Sequence, residues 1–356
     1  MKSIFEKQIA KTVKYVRPVS VDAASGVLAA AYAQMERDFG ALPPPLILHS
    51  PAPSVQAGIW SVLRETLVVG LVPRRFKEAI SVAVSQTNTC PYCVDAHMMA
   101  LHASAEHRVV DALIQGRSAD IPEPQARALV EWALSSRSPE AAIVQAPPFA
   151  PADAPEIVGT AVVFHYLNRI VNVFLDESPF PVPPRWAGMK KTMRRMGGVL
   201  MQGMLRRTVR PGESLPLLPE APLPADLSWA AANPAVAGAF ARCAAAVEEA
   251  GTRALPAEVR TLVQSHVQAW NGADRGMSRR WVEEALTDLN AEHRPAARLA
   301  LLTALASYQV DAETVRAFCS QHPGDDILIG ATAWASFTTA RRVGVWLQQT
   351  TLQNVT

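Results

Sequence analysis

The chain has no excess of one charge: 34 Lys and Arg stand against 32 Asp and Glu, a formal net charge of +2. That balance excludes bulk electrostatic attraction to nucleic acid. Cysteine is scarce, four residues in 356, with Cys243 and Cys319 isolated, so no secreted disulfide framework is available. A structural zinc site wants about four ligands, and those two distant cysteines do not supply them, so no metal is expected. No stretch of eighteen or so apolar residues reads as a membrane span, and Met1-Lys2-Ser3-Ile4-Phe5-Glu6-Lys7 lacks the continuous apolar core of a signal peptide. A cytoplasmic protein is the expectation.

What the chain does have is apolar residues at helical spacing. Hydrophobic residues make up 49% of it, enough for a substantial core, and 356 residues suit two domains or one large duplicated one. The abundance of Ala, Leu, Val, Glu and Arg in that spacing predicts an all-α fold.

The chemistry concentrates between residues 74 and 101. Phe76, Ala79, Ile80, Ala83, Val84 and Thr87 recur with helical period after Pro73, which predicts a helix over 74–87 ended by Gln86-Thr87-Asn88-Thr89. Pro91 then starts a second helix with Cys90 near its N-cap and Val94, Met98 and Leu101 along its buried stripe. Both thiols of Cys90-Pro91-Tyr92-Cys93 therefore sit where unpaired N–H groups and the helix dipole favour an anion. His97 follows Cys93 by four residues, on the same face, within reach of its sulfur to take the thiol proton or to pair with the thiolate. Glu78, from the preceding helix, is placed to fix the imidazole tautomer and stabilise its cation, as carboxylates do in catalytic triads. A nucleophile, a base, an orienting acid and a second thiol make up a dithiol redox site. No strand alternation surrounds the motif, which argues against a thioredoxin-type unit; two core cysteines beside a solvent-facing histidine remain the plain alternative.

At these residues the sequence resembles the alkylhydroperoxidase D and carboxymuconolactone decarboxylase family, whose alkylhydroperoxidase branch carries a glutamate, eleven residues, then C-x-x-C-x-x-x-H. Glu78, Cys90, Cys93 and His97 match every position, and the run Cys90-Pro91-Tyr92-Cys93-Val94-Asp95-Ala96-His97 is present in full. The resemblance is clearest over about residues 50 to 115. It implies a thiol-dependent peroxidase in which Cys93 attacks a hydroperoxide, Cys90 resolves the sulfenic acid as a Cys90–Cys93 disulfide, and Glu78 with His97 relays protons. It implies no bound cofactor, and an external reductant: a lipoylated protein, a thioredoxin-like protein or another small dithiol. Relatives usually associate into homo-oligomers. Some carry a further histidine between the cysteines; here Tyr92 stands there, a candidate to contact substrate or to replace that histidine's proton transfer. The rival readings are a dithiol-disulfide oxidoreductase and a non-enzymatic redox sensor or scaffold.

An internal repeat organises the rest. Pro256-Ala257-Glu258-Val259-Arg260-Thr261-Leu262 aligns with the segment from Pro73 at an offset of 183, and Pro295 to Leu305 aligns with Pro124 to Leu134 at 171. Ile329-Gly330-Ala331 and Val158-Gly159-Thr160 share the second offset. The chain thus reads as an intramolecular pseudo-dimer: a first copy over 1–177 with the dithiol, a Pro-rich and basic linker over 178–228, and a degenerate second copy over 229–356. Thr261, Ala273, Gly276 and Arg280 fall under Glu78, Cys90, Cys93 and His97, so the second copy lacks the chemistry. Trp270 and Asn271 are its candidates for walling the substrate pocket.

Within the linker, residues 185–210 hold eight Lys and Arg and no acid, with Met189, Met193, Met196, Leu200 and Met204 at three- and four-residue spacing. The reading is a helix that packs its methionines inward and leaves its charges in water; contact with an anionic membrane surface is the alternative. His165, with Asn168 and Arg169, reads as a satisfied core or interface histidine, with a place lining the pocket as the alternative. His102 reads as a surface group, Asp95 as a first-turn acid supporting the helix dipole, and Leu42 to Leu46 as a loop bordering the pocket.

Overall fold

Proline opens much of this chain's regular structure. Pro53, Pro91, Pro124 and Pro234 each begin a helix, where the missing N–H costs nothing and the fixed φ is already helical. The computed structural model describes residues 12–104, 106–179, 187–205 and 209–348, and every regular element among them is helical. The helices of eight residues or more are α1 (Gly26–Gln34), α2 (Pro53–Leu63), α3 (Arg74–Thr87), α4 (Pro91–Ala103), α5 (His107–Ile114), α6 (Pro124–Leu134), α7 (Ala154–Phe174), α8 (Ala187–Leu205), α9 (Pro234–Ala254), α10 (Ala257–Ala269), α11 (Arg294–Leu305), α12 (Ala312–Gln321) and α13 (Asp325–Gln348). Leu42 to Leu46 is partly helical, since Pro44–Ile47 forms a single turn. The all-α expectation and the 74–87 helix agree with the structure.

Helix α7 is the central post. All of its residues except Asn172 are buried, and it packs along α13 and against α3. Residues Pro151–Phe174 are in fact long and apolar enough to cross a membrane by length and composition, contrary to the sequence reading, but 94% of the qualifying window is buried inside the protein. It is a core helix, mostly apolar because protein surrounds it on all sides, with Glu156, His165, Asn168 and Arg169 buried along it. Around it α2 packs on α9, and α3 is flanked by α4 and α6.

The approach of α3 to α7 is fixed by a charged knot. Lys77 and Glu156 are both buried, their Nζ and Oε2 2.9 Å apart. Glu156 also accepts from the backbone N–H groups of Leu71 and Val72, at 2.8 and 3.1 Å, and Lys77 donates to the Val69 carbonyl at 2.6 Å. The carboxylate comes so close because residue 70 is glycine: a Cβ there would lie 2.1 Å from Glu156 Oε2, and Gly70 has φ of +117°.

The two halves present their elements in the same order. The series α2, α3, α6, α7 of the first compares with α9, α10, α11, α13 of the second, with α12 added before α13, and between α10 and α11 the short helix Arg280–Ala285 and the 3-10 turn Ala291–His293 stand where the first half has α4 and α5. Like elements meet across the molecule, α2 on α9 and α7 on α13. Polar groups tie the halves together as well. Arg137 donates to the Gly272 carbonyl from Nε and Nη2 at 3.0 and 2.7 Å, and to the Thr87 carbonyl from Nη1 at 2.7 Å. Arg169 Nε donates to the Ala304 carbonyl at 2.8 Å.

The linker helix corrects the reading of its sequence. Helix α8 lies along α4, at a contact so close that a Cβ on Gly198 would sit 3.0 Å from the Met99 carbonyl. Yet Met189 and Met196 are exposed, as is Val199, whereas Arg194 turns inward to Asp95. A buried acid on α4 therefore decides which face of α8 packs, overriding its methionine spacing. Arg185, Arg206, Arg207 and Pro181 to Pro184 of the expected basic and proline-rich segment lie outside the described residues.

Gly70→Ala is expected to lower unfolding free energy by about 2–3 kcal/mol, because it adds positive-φ strain and displaces a bonded carboxylate. Urea denaturation of the variant beside wild type measures this; an unchanged midpoint would contradict the account of the knot.

Candidate active site

Cys90 and Cys93 are free thiols, buried at 1% and 3% exposure, with sulfurs 2.7 Å apart. The spacing is short because Pro91 starts α4 immediately after Cys90, and one helical turn brings residue 93 back beside residue 90. Thr89, at φ +52°, turns the chain from the end of α3, and the Cys90 N–H donates to the Ser85 carbonyl at 2.9 Å. Burial first, and then the neighbouring Cys93, push the Cys90 thiol well above its ordinary range. The sequence reading gave either sulfur an anion-favouring site; for Cys90 desolvation overrides the helix terminus.

His97 and Glu78 meet as their spacing implied, Nδ1 to Oε2 at 2.6 Å. Glu78 is 1% exposed, and its second oxygen, Oε1, accepts from Arg74 Nε at 3.0 Å. Burial pushes this carboxyl up, but His97 and Arg74 together more than offset it and hold it below the usual carboxylate range. The His97 side chain keeps 18% exposure, and the ring of Phe164 meets it edge-on with centroids 4.5 Å apart. Tyr92 is buried, and burial, followed by the two thiols, raises its phenol, which therefore stays protonated and able to donate at neutral pH. The Cys90–Cys93 pair lies at the start of α4, and the His97–Glu78 pair joins α4 to α3 one turn further along.

Behind the dithiol lies a polar chain that the sequence did not disclose. Asn88 Nδ2 donates to His165 Nδ1 at 2.9 Å and to Asn168 Oδ1 at 3.1 Å. Asn168 Nδ2 donates to Ser85 Oγ at 2.9 Å, and His165 Nε2 lies 2.9 Å from Ser136 Oγ. His165 is the satisfied core histidine expected of it. The available signal was the pair His165 and Asn168, three residues apart in an otherwise apolar run. Arg74 was equally legible, four residues before Glu78.

Other readings change. Asp95 is buried and bonded to Arg194 and Ser178, so it anchors the linker instead of serving the helix dipole. His102 is buried too, its Nδ1 2.8 Å from His107 Nδ1; it lies about half a turn around α4 from Cys93, on the face α8 covers. Trp270 packs under the Arg137 and Arg169 guanidiniums, and Asn271 is exposed, accepting from the Ala273 N–H. Two surface grooves of about 610 and 560 Å³ are lined by Leu215 to Arg242 and by Gln264 to Ala269. Neither touches the dithiol.

A profile of the carboxymuconolactone decarboxylase family matches residues 53–135, which hold α2 to α6 and the whole dithiol cluster. Alkyl hydroperoxide reductase Rv2159c of Mycobacterium tuberculosis is 40% identical over 337 residues, 95% of each chain. This chain belongs to the carboxymuconolactone decarboxylase family. The similarity to that reductase extends through the linker and the second half, well beyond the segment the family profile covers.

In this family member the His165 site sets an acid limit. Asn88 donates to Nδ1, so the neutral ring carries its proton on Nε2 and gives it to Ser136; a proton on Nδ1 would face a donor. Burial first, then Arg169 and Arg137, hold this imidazole well below its ordinary value. A histidine depressed in the folded state contributes stability that is complete above its unfolded value of about 6.5 and is lost as pH falls toward the folded one, at up to about 1.4 kcal/mol per pH unit. Urea unfolding at pH 7.5, 6 and 5 is expected to show this decline, and NMR is expected to show no titration of His165 near pH 6.5. A His165 ring that titrates at its ordinary value would contradict the assignment.

Proposed function

We propose that the protein is a thiol-dependent peroxidase that reduces hydroperoxides through a Cys90–Cys93 dithiol-disulfide cycle. The observation that carries this reading is the pair of free thiols 2.7 Å apart on the helix that also brings His97 to Glu78 at 2.6 Å. Similarity over 95% of the chain to a protein named for alkyl hydroperoxide reduction supports it.

The Cys93 thiolate, formed as His97 accepts the thiol proton, attacks the terminal oxygen of R–O–OH. The O–O bond breaks, sulfur is oxidised to sulfenic acid, and the alkoxide leaves as ROH with the proton from His97. Glu78 holds the imidazole by Nδ1 and stabilises its charge while it carries that proton. Cys90 keeps its own proton until then, since its thiol is raised, and donates to the Cys93 sulfur. The Cys90 sulfur next attacks Cys93–SOH; the disulfide forms and hydroxide leaves as water with the Cys90 proton. An external dithiol returns two electrons and two protons, itself becoming a disulfide. Tyr92, between the cysteines in sequence and with a phenol that keeps its proton, is proposed to donate to the peroxide or the departing hydroxide. A cytoplasmic setting, with its reducing thiol pool, suits such recycling.

The second half, which retains the order of elements but has Ala273, Gly276 and Arg280 at the positions of Cys90, Cys93 and His97, is proposed as a degenerate copy that supplies packing surface to α2 and α7. Burial of both sulfurs disfavours the rival reading of exchange with protein disulfides.

Single-turnover reaction of the reduced protein with hydrogen peroxide and with an organic hydroperoxide, counting free thiols, tests the cycle. Two thiols are expected to disappear per peroxide. Cys93→Ser should slow the reaction at least about a thousandfold, and Cys90→Ser should stop at a trappable sulfenic acid. Thiols that survive excess peroxide but exchange rapidly with disulfides would end the peroxidase reading.

A further inference from the structure

Glu78 has two oxygens and a partner at each: Oε2 meets His97 at 2.6 Å and Oε1 meets Arg74 at 3.0 Å. Arg74 is one helical turn before Glu78 on α3, its side chain 16% exposed. Its guanidinium carbon lies 5.5 Å from the ring centre of Phe39, in the π-helical turn Met35–Phe39 that follows α1. The arginine is thus held from both ends, by the carboxylate and by an aromatic face.

We propose that Arg74 is a positioning residue for the dithiol, keeping Glu78 ionised and accepting from the Nδ1–H of His97, so that Nε2 remains free to take the Cys93 proton. A carboxylate this deeply buried, with only a neutral imidazole as partner, gains a proton readily. Once protonated, Glu78 donates to Nδ1. The imidazole hydrogen then moves to Nε2, which becomes a donor and no longer accepts from the thiol. Arg74 blocks that switch by giving Oε1 a permanent cation.

Other charges near Glu78 do not substitute. Helix α4 faces Glu78 with His97, while its Asp95 is bonded to Arg194 and Ser178. On α3, Lys77 is bonded to Glu156 of α7 and acts on Glu78 only through space, more weakly than on Glu156, and Arg75 turns away to Glu106, just before α5, and Glu123, just before α6. The face of α7 at His97 is Phe164, which carries no charge.

The proposal deepens the peroxidase reading, on which it rests for the oxidant, but it concerns the reactivity of Cys93 toward any electrophile. It is tested on the reduced full-length protein by iodoacetamide labelling of Cys93 between pH 5 and 9, read by peptide mass spectrometry, with peroxide single turnover in parallel. In Arg74→Gln the acid limb of Cys93 labelling is expected to move up by about one pH unit, with the plateau at high pH within about twofold of wild type, and Arg74→Lys should restore most of the shift. An unmoved limb, an equal loss of rate at every pH, or a lysine variant no better than glutamine would overturn it. Should Arg74→Gln fail to fold, Phe39→Leu, which frees the arginine from its ring, is expected to give a smaller upward shift, and an unmoved limb there counts against the proposal. A shifted limb in a protein that consumes no peroxide supports the role of Arg74 while ending the peroxidase reading.

Discussion

Buried carboxylates, each matched by a cation or an imidazole, fix the joints of the first half. Glu78 joins α3 to α4 through His97, Glu156 joins α7 to α3 through Lys77, and Glu65 with Asp38 joins α2 to the end of α1 through Arg64. Removing one member of such a pair strands a charge in the core at a cost of about 3–5 kcal/mol. Helices joined this way have one acceptable register, because a shift of one residue separates the charges. Apolar packing holds the molecule together, and these pairs decide where along each helix it does so.

The third of these clusters reaches the linker. Arg64 is fully buried in a π-helical turn that extends α2. It donates to Asp38, to Glu65, to Glu213 and to the Arg210 carbonyl, while Glu65 accepts from the Gly212 N–H and Ser214 Oγ. The wider π turn places neighbouring residues 64 and 65 so that both point inward. At its other end the linker is bound by Asp95, from the helix that carries the cysteines. The segment between the halves is therefore fastened to the first half at α4 and at α2.

The sequence was most readable where structure is local. The helix 74–87, the start of α4 at Pro91 and the meeting of Glu78 with His97 follow from spacing and proline placement, which act within a turn or two. Arg74 could have been read by the same rule. What escaped were partners distant in the chain. Nothing local pairs Asp95 with Arg194, so Asp95 read as a dipole partner and the methionines of α8 read as its buried face. His102 read as exposed because α8, about a hundred residues later, is what covers it. Asn88 and His165 stand 77 residues apart, and only the packing of α7 on α3 makes them a pair. The Cys90 thiol was misjudged for a related reason, since a helix terminus is visible in sequence and desolvation is not.

The depth of the dithiol carries a consequence for traffic through the site. The sulfurs of Cys90 and Cys93 are covered, while His97 keeps part of its side chain in solvent. In the proposed cycle that depth would favour a slender reductant over a broad protein surface, and a sulfenic acid on Cys93 would have Cys90 as its fixed neighbour. Seclusion of this kind would sort the two half-reactions by the girth of what each must admit.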